Sequence, residues 1–318
     1  MSSILLTGAS GFVGSHALPE LLTAGHRVVA LVRTRTAGEV VIGRLGAEEK
    51  AGVEIRTGDV TRPDSIRAAL DGVDGVVHLV AIPRDFNGGA DLRLINTEGT
   101  RTLVGAMEAA GVRRLVHIGA MGVADDPSLH YASSKARGEA VVAASSLDWT
   151  ILKPSLQFGQ RDGFFNTVAD LVRMSPGVVP VPGDGMSRFQ PIHSGDLARV
   201  IRAVFEDPAT IGATIDVGGP RYWTYREIVA EVLAALGKRR AILPMPVPLI
   251  ALVARTAELF RLPFPVASDQ LRQLRLDNVG PLDEVEKRFG FRPREMAGQL
   301  GYLKRRRRDQ ESHGIVGR

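Results

Sequence analysis

The segment Tyr131-Ala132-Ser133-Ser134-Lys135 carries two side chains able to do proton chemistry. Four residues apart on a helix, its phenol and ammonium fall on one face. A nearby cation draws a phenol pKa from about 10 toward neutrality, which makes the group usable as a general acid or base. Such a pair also arises by accident, so its place in the chain has to decide. A second constellation lies near the N-terminus. There Thr7-Gly8-Ala9-Ser10-Gly11-Phe12-Val13-Gly14 spaces its glycines at every third position, after a strand-like run and before a helix-like one. Only glycine lets a backbone turn this tightly and approach a diphosphate, whose charge is met by amides at the helix N-terminus. The turn reads as a dinucleotide-binding loop, with Thr7, Gly8, Ser10, Gly11, Phe12, Val13 and Gly14 as its contacts.

Further signals follow in order. About twenty residues beyond the glycines a site selective for NAD places a carboxylate, to accept from the ribose 2′-hydroxyl. This chain has Arg33, with Thr34 and Arg35 behind it. A guanidinium suits a 2′-phosphate and offers a diol no acceptor, so NADP(H) is favoured over NAD(H); the alternative for Arg33 is a solvent-facing loop. In Gly58-Asp59-Val60 the carboxylate can accept from the adenine amino group while Val60 packs on the ring, or Asp59 is a turn or capping residue. Val80 and Ala81 present small apolar groups where dinucleotide and backbone would pass closely.

These residues need a frame. Short apolar runs at Ile4–Leu6, Val28–Val32, Val53–Arg56, Gly75–Leu79, Leu115–Ile118 and Thr150–Leu152 alternate with helical patterns at Phe12–Ala24, Asp64–Leu70, Leu92–Ala110 and Ala132–Ala144. That is the pattern of a doubly wound parallel α/β sheet of the Rossmann type. Tyr131 then opens the helix between the fifth and sixth strands, beside the expected nicotinamide. After Pro154 the rhythm changes to prolines, glycines and helices (Gly195–Phe205, Tyr225–Leu236, Leu249–Leu262, Leu282–Phe289, Arg294–Leu303), with Ile215–Val217 the best strand. The expected organisation is a Rossmann domain over 1–155 and a smaller, mainly helical substrate lobe over 156–303 whose chain crosses back to the core. A basic tail would occupy 304–318.

Composition agrees. The 318 residues are 44% hydrophobic and 24% charged, ordinary for a globular protein. With no cysteine there are no disulfides, thiolate nucleophiles or zinc–thiolate sites, and the histidines show no metal-ligand spacing. His78 and His117 close strands and read as packed, hydrogen-bonded core residues. Met1-Ser2-Ser3 lacks the basic n-region of a signal peptide, so the simplest location is cytoplasmic. The formal charge is +5, concentrated in Lys304-Arg305-Arg306-Arg307-Arg308. That run is either a solvated tail or a point of attraction to an anionic membrane. The apolar stretch Ile242–Pro265 is either packed internally or seated in a membrane interface. Either membrane reading would put the protein peripherally on the cytoplasmic face. Aromatics are only 5% and no basic stripe interleaves them, which argues against nucleic acid.

Taken together, Thr7-Gly8-x-x-Gly11-x-x-Gly14, Asp59-Val60, Asn96 in Asn96-Thr97-Glu98-Gly99-Thr100, Tyr131-x-x-x-Lys135 and Lys153-Pro154-Ser155 resemble the short-chain dehydrogenase/reductase superfamily in its extended, epimerase/dehydratase-like branch. The resemblance implies Tyr131 as proton donor or acceptor. It also implies Lys135 on the nicotinamide ribose, Asn96 ordering the lysine, and Pro154 beside the cofactor. The family uses a Ser or Thr just after the fifth strand to hold the substrate oxygen. Ile118-Gly119-Ala120-Met121-Gly122 has no hydroxyl there, which leaves Ser133, Ser134 or a backbone amide as substitutes.

A narrower resemblance runs through Gly163-Phe164-Phe165-Asn166, Ser187-Arg188-Phe189-Gln190-Pro191-Ile192-His193-Ser194-Gly195-Asp196, Trp223-Thr224-Tyr225-Arg226-Glu227, Ser268-Asp269-Gln270 and Asp277-Asn278. It is to the atypical subgroup of the complex I nucleotide-binding accessory subunit. It implies tight NADPH binding with catalysis undemonstrated in several members; the apolar stretch Ile242–Pro265, read as seated in a membrane interface, suggests a quinone-like or other apolar carbonyl substrate. Ala120, Phe164 and Arg188 are the substrate-side candidates. Phe164 and Phe165 are otherwise core; Arg188 could meet an anionic group; Ser194 and Asp196 read as a helix start. Three functions compete: an oxidoreductase, an accessory subunit or redox sensor that holds NADPH without turnover, and a sugar-nucleotide epimerase or dehydratase. The missing hydroxyl weighs against the last, as does the one extra residue that this chain carries between Arg188 and Asp196 compared with the epimerase pattern that the resemblance implies.

Overall fold

The computed structural model describes residues 1–85, 87–246, 248 and 277–305. The strands are β1 (Ser3–Thr7), β2 (Arg27–Val32), β3 (Val53–Thr57), β4 (Gly75–His78), β5 (Arg114–Ile118), β6 (Asp148–Pro154), β7 (Gln157–Phe158), β8 (Val178–Pro182), β9 (Arg188–Phe189), β10 (Ile192–His193), β11 (Ala213–Val217), β12 (Trp223–Thr224) and β13 (Ala241–Met245). The helices are α1 (Gly14–Thr23), α2 (Arg35–Gly43), α3 (Ala47–Ala51), α4 (Pro63–Ala69), α5 (Ala90–Leu92), α6 (Gly99–Ala110), α7 (His130–Ala143), α8 (Phe164–Met174), α9 (Ser194–Glu206), α10 (Tyr225–Ala235) and α11 (Glu284–Phe289). Arg93–Glu98 forms a π-helical turn between α5 and α6. Among the described residues no helix is long and apolar enough to cross a membrane.

The chain divides into two compact units. The first comprises Met1–Pro154 and Ser194–Asp216; the second comprises Ser155–His193 and the described part of Val217–Gln310. In the first, a sheet in the order β11-β6-β5-β4-β1-β2-β3 is the doubly wound parallel arrangement, with β1 to β6 paired in parallel. Its central strands β1, β2 and β4 are almost wholly apolar and buried because both faces are covered, whereas edge strand β3 carries Glu54 and Arg56 and is only half-buried. On one face Leu5, Val76, Leu115 and Ile151 pack with Leu103, Met107 and Val142 of α6 and α7. The sheet has seven strands, where the sequence suggested six. Thr150 Oγ1 donates to Thr210 O (2.8 Å) and Gly212 N to Trp149 O (2.7 Å), drawing the strand expected at Ile215–Val217 to the edge beside β6.

The second unit carries three two-stranded pairings, β10-β7, β12-β9 and β13-β8. Its core joins Phe158, Phe165, Val168 and Val172 to Tyr225, Ile228 and Val232. Helix α8 is absent from the helices expected from the sequence. Its start is fixed by buried Asp162, whose Oδ1 accepts from the amides of Phe165 (2.7 Å) and Asn166 (3.2 Å). The helix expected over Arg294–Leu303 is a 3-10 turn, Leu300–Lys304, because Gly298 takes φ +72° and breaks the run. The expected helix Leu249–Leu262, the motif Ser268-Asp269-Gln270, most of Ile242–Pro265 and residues 306–318 lie outside the described residues.

Candidate active site

The glycine turn connects β1 to α1 and is built with no spare room. Gly8 takes φ +77°. A Cβ on Gly14 would lie 2.3 Å from Gly8 O and 2.7 Å from Ala9 Cα. Gly11 N donates back to Gly8 O at 3.0 Å. The α1 N-terminus, preceded by Val13, has no side-chain cap and no acidic residue in its first turn. An uncapped helix start under a tight turn presents amides and the positive end of the helix dipole to an anion. This cradle fits a dinucleotide diphosphate.

At the end of β2 the expected loop is a helix start. Thr34 Oγ1 accepts from Ala37 N (3.2 Å) and caps α2, which places Arg35 on a fully exposed turn, paired with Glu39 at 3.3 Å. Arg33 is exposed and lies close enough to Asp59 to lower its pKa along with Arg62, against the upward push of burial and beside bonds from Thr61. Asp59 Oδ1 accepts from both the amide and the hydroxyl of Thr61 (2.8 Å each), so the carboxylate forms an Asx turn. Val60 is buried in the core beneath, while Val80 is half-buried and Ala81 exposed past the end of β4.

Tyr131 and Lys135 sit in the first two turns of α7. Lys135 is buried, and its Nζ donates to Ile118 O at 2.5 Å, at the end of β5. Burial lowers its pKa to about 8, with Glu139 pulling the other way. The Tyr131 pKa is pushed up to about 12, first by burial and then by Glu139. The expectation that the lysine draws the phenol toward neutrality is thus corrected. The ammonium is directed to a carbonyl, and a carboxylate faces the pair.

Asn96 lies in the π-helical turn, a device common at functional sites. Its Oδ1 accepts from Ile82 N (2.9 Å), and its Nδ2 donates to Ile82 O and Ser134 Oγ (3.0 Å each), next to Lys135 in sequence. Below, Thr100 spends its proton on Asn96 O (2.8 Å). His78 Nε2 must therefore donate to Thr100 Oγ1 (3.2 Å), and its Nδ1 accepts from Thr7 Oγ1 (2.7 Å). That neutral tautomer agrees with a pKa lowered to about 3 by burial and by Lys135. His117 stacks on His78 at 5.4 Å, but among the described residues neither of its buried ring nitrogens has a hydrogen-bond partner. For His117 the expectation of a hydrogen-bonded core residue fails; only the packing holds.

Sequence reasoning missed Glu139. Its Oε1 accepts from Ala120 N at 2.9 Å and its Oε2 lies 3.3 Å from Lys153 Nζ. The Ala120 amide, one substitute for the absent hydroxyl, is therefore already bonded. Ser133 donates to Asp125 (2.5 Å) and Ser134 to Tyr131 O (2.8 Å). The available signal was spacing, since Glu139 follows Lys135 by four residues on the face that bears Tyr131.

Pro154 ends β6 in the first unit, where its carbonyl accepts from Met121 N (3.1 Å). In the second unit Phe164 packs edge-on against Phe165 and Tyr225, at 5.2 and 6.2 Å, within an aromatic cluster. Arg188 is bound to Asp277, which accepts from its Nε (2.9 Å), Nη2 (2.6 Å) and backbone amide (2.8 Å). Ser194 and Asp196 begin α9.

Comparison with known proteins bears on the family and the fold. A family described as NAD(P)H-binding matches residues 8–208. Subunit 9 of the NADH dehydrogenase [ubiquinone] 1 alpha subcomplex from Arabidopsis thaliana is 24% identical over 288 residues, 89% of this chain and 70% of that protein. The photosystem II assembly factor Ycf39 of Synechocystis is 22% identical, covering 94% of this chain and 89% of its own. Among solved structures, the dTDP-glucose 4,6-dehydratase DesIV of Streptomyces venezuelae, with NAD and TYD bound, superposes with a TM-score of 0.70. It is 23% identical and covers 98% of each chain, a likeness of fold.

Proposed function

Since the chain belongs to the NAD(P)H-binding family, we propose that it is an NADP(H)-binding oxidoreductase-like protein of the atypical short-chain dehydrogenase/reductase branch, acting on a quinone or another apolar carbonyl compound. The reading is carried by the glycine cradle over an uncapped α1 N-terminus, with Arg33 exposed past β2. Amides from Gly8 to Gly14 would hold the diphosphate. Arg33 and Arg35 would take the 2′-phosphate, and Asp59, Val60, Val80 and Ala81 would line the adenosine. Asn96, Tyr131, Lys135 and Pro154 would border the nicotinamide ribose. When bound, the dinucleotide supplies a hydride. Tyr131 holds the proton for a carbonyl oxygen as a phenol, and Lys135 is an ammonium over much of the physiological range. Ala120, Phe164 and Arg188 remain the proposed substrate side, with Arg188 needing release from Asp277 to reach an anion. A quinone is the suggested class because ubiquinone stands in the name of the plant relative.

A second reading has one specific observation behind it. The Ala120 amide is bonded to Glu139 and no hydroxyl replaces it. Loss of one such donor costs on the order of 10²–10³ in rate. A protein so arranged would hold NADPH without turnover, as an accessory partner of a membrane complex. Isotope exchange decides between the two: labelled NADPH with a quinone and aldehyde panel should transfer label slowly and only with Tyr131 intact. No transfer at all supports the structural role. Flotation on anionic vesicles, comparing the full chain with one ending at Leu303, tests attachment through the basic run.

A further inference from the structure

Helix α7 sets Tyr131, Lys135 and Glu139 at successive intervals of four, so phenol, ammonium and carboxylate line one face. The two charged members grip a single short stretch of backbone after β5. Lys135 Nζ donates to Ile118 O, and Ala120 N donates to Glu139 Oε1. The other edge of that stretch is bonded to β6, through Gly119 N to Leu152 O (2.7 Å) and Met121 N to Pro154 O (3.1 Å). Glu139 is only 12% exposed, and its second oxygen meets Lys153. Gly119 leaves the space through which the carboxylate passes, for a Cβ there would lie 2.3 Å from Oε1 and 2.8 Å from Cδ. A carboxylate on the helix, a lysine on β6 and a glycine in the loop are therefore mutually dependent.

We propose that Glu139 is a positioning residue of the proton-transfer site: its carboxylate, shared between the Ala120 amide and Lys153, fixes the post-β5 segment, withdraws that amide from the substrate, and places a negative charge behind the Tyr131–Lys135 pair. This rests on the reading of Tyr131 and Lys135 as the proton-transfer pair. It follows that a carbonyl oxygen meets Tyr131 without a second donor from this segment. The other charged or titratable groups around the pair are accounted for. Lys153 from β6 is paired with Glu139, His78 from β4 and His117 from β5 are kept neutral by burial, and Asp125 is tied to Ser133 and Arg137. The carboxylate then both opposes loss of the phenol proton and supports the lysine charge against burial.

Two variants separate shape from charge. Glu139→Gln keeps an acceptor for the Ala120 amide and loses the charge, whereas Glu139→Ala loses both. In Glu139→Ala, Ala120 amide hydrogen exchange accelerates by about tenfold or more, the loss expected for a hydrogen bond to a charged group; in Glu139→Gln it stays within about threefold of wild type. Tyr131, followed by NMR of labelled tyrosine and assigned with Tyr131→Phe, titrates about one pH unit lower in both variants. If Glu139→Ala does not fold, Gly119→Ala displaces the carboxylate and predicts the same faster exchange. Unchanged Ala120 exchange in these variants, or an unmoved tyrosine titration in Glu139→Gln, overturns the proposal. Neither readout needs turnover. NADPH binding by wild type together with an unmoved Tyr131 titration in Glu139→Gln sinks only the role of Glu139, while absence of NADPH binding sinks the functional reading and leaves these two measurements interpretable.

Discussion

Replacing Gly14 with alanine attacks the cofactor cradle at its tightest point. The new Cβ would lie 2.3 Å from Gly8 O, 2.7 Å from Ala9 Cα and 2.9 Å from Ala9 O. Comfortable carbon–oxygen contacts begin near 3.3 Å, so the turn must open by about 1 Å. All three atoms are backbone, and no side chain can rotate away. Overpacking of this kind costs about 1–3 kcal/mol, and each kcal/mol lowers Tm by roughly 2–4 °C in a unit of 150–250 residues. The opened turn also loses amide contacts to the diphosphate. Two charge-assisted bonds at roughly 1.5 kcal/mol each correspond to about a hundredfold in affinity. At a concentration of NADPH about 100 times its Kd, wild type gains about 2.7 kcal/mol, whereas the variant gains under about 0.5. Gly105→Ala is the matched control: Gly105 lies inside α6 with nothing within 4 Å of its added Cβ. It should stabilise by about 0.5–1 kcal/mol and bind normally. Calorimetric melting and titration with NADPH read both quantities. A Gly14→Ala protein that melts with wild type and binds within about threefold of it would refute the reasoning.

Other consequences are equally direct. Arg33→Asp should weaken NADPH by at least about tenfold and leave NADH nearly unchanged; equal losses for both dinucleotides in parallel titrations would remove Arg33 from the 2′-phosphate. Tyr131→Phe should abolish label transfer to any substrate while NADPH binding stays within about twofold of wild type. His78 is held neutral with a pKa near 3, so below about 6.5 the unfolded chain takes up a proton that the folded chain refuses. Its contribution is complete above that pH and is lost as pH falls toward 3, at about 1.4 kcal/mol per unit. Burial depresses His117 in the same direction. His117→Leu should remove its share of this acid sensitivity, making stability fall less steeply between pH 7 and 4, and be neutral or stabilising at pH 7; an unchanged slope in urea unfolding at pH 7, 5 and 4 would contradict it. Asp162→Ala strands the Phe165 and Asn166 amides, and should destabilise the protein by about 2–3 kcal/mol; a change under about 0.5 kcal/mol in denaturant unfolding would contradict the capping role.

The doubly wound sheet was legible because its central strands β1, β2 and β4 are apolar on both faces and its helices fall between the strands at helical period, a pattern set by local sequence. The glycine turn was legible because crowding permits no other residue there. What escaped notice depended on partners distant in sequence. β11 joins the sheet through hydrogen bonds with β6, donated by Thr150 Oγ1 and accepted by Trp149 O, about sixty residues earlier. Helices α2 and α8 start beside Thr34 and Asp162, whose capping bonds are local, yet neither helix was among those expected from the sequence. The Tyr131–Lys135 spacing was legible, but the electrostatics around it were not. Those depend on which carbonyl the lysine reaches and on a carboxylate one turn further along, and spacing alone supplies neither the Ile118 nor the Ala120 contact.

The central claim is that backbone amides of the Gly8–Gly14 turn hold a dinucleotide diphosphate, with Arg33 selecting a 2′-phosphate. Titration calorimetry of the intact chain with NADPH and with NADH tests it most directly. The account predicts one site per chain, filled by NADPH at least about tenfold more tightly than by NADH, with the preference lost in Arg33→Asp. Heat of binding from neither dinucleotide would contradict it outright.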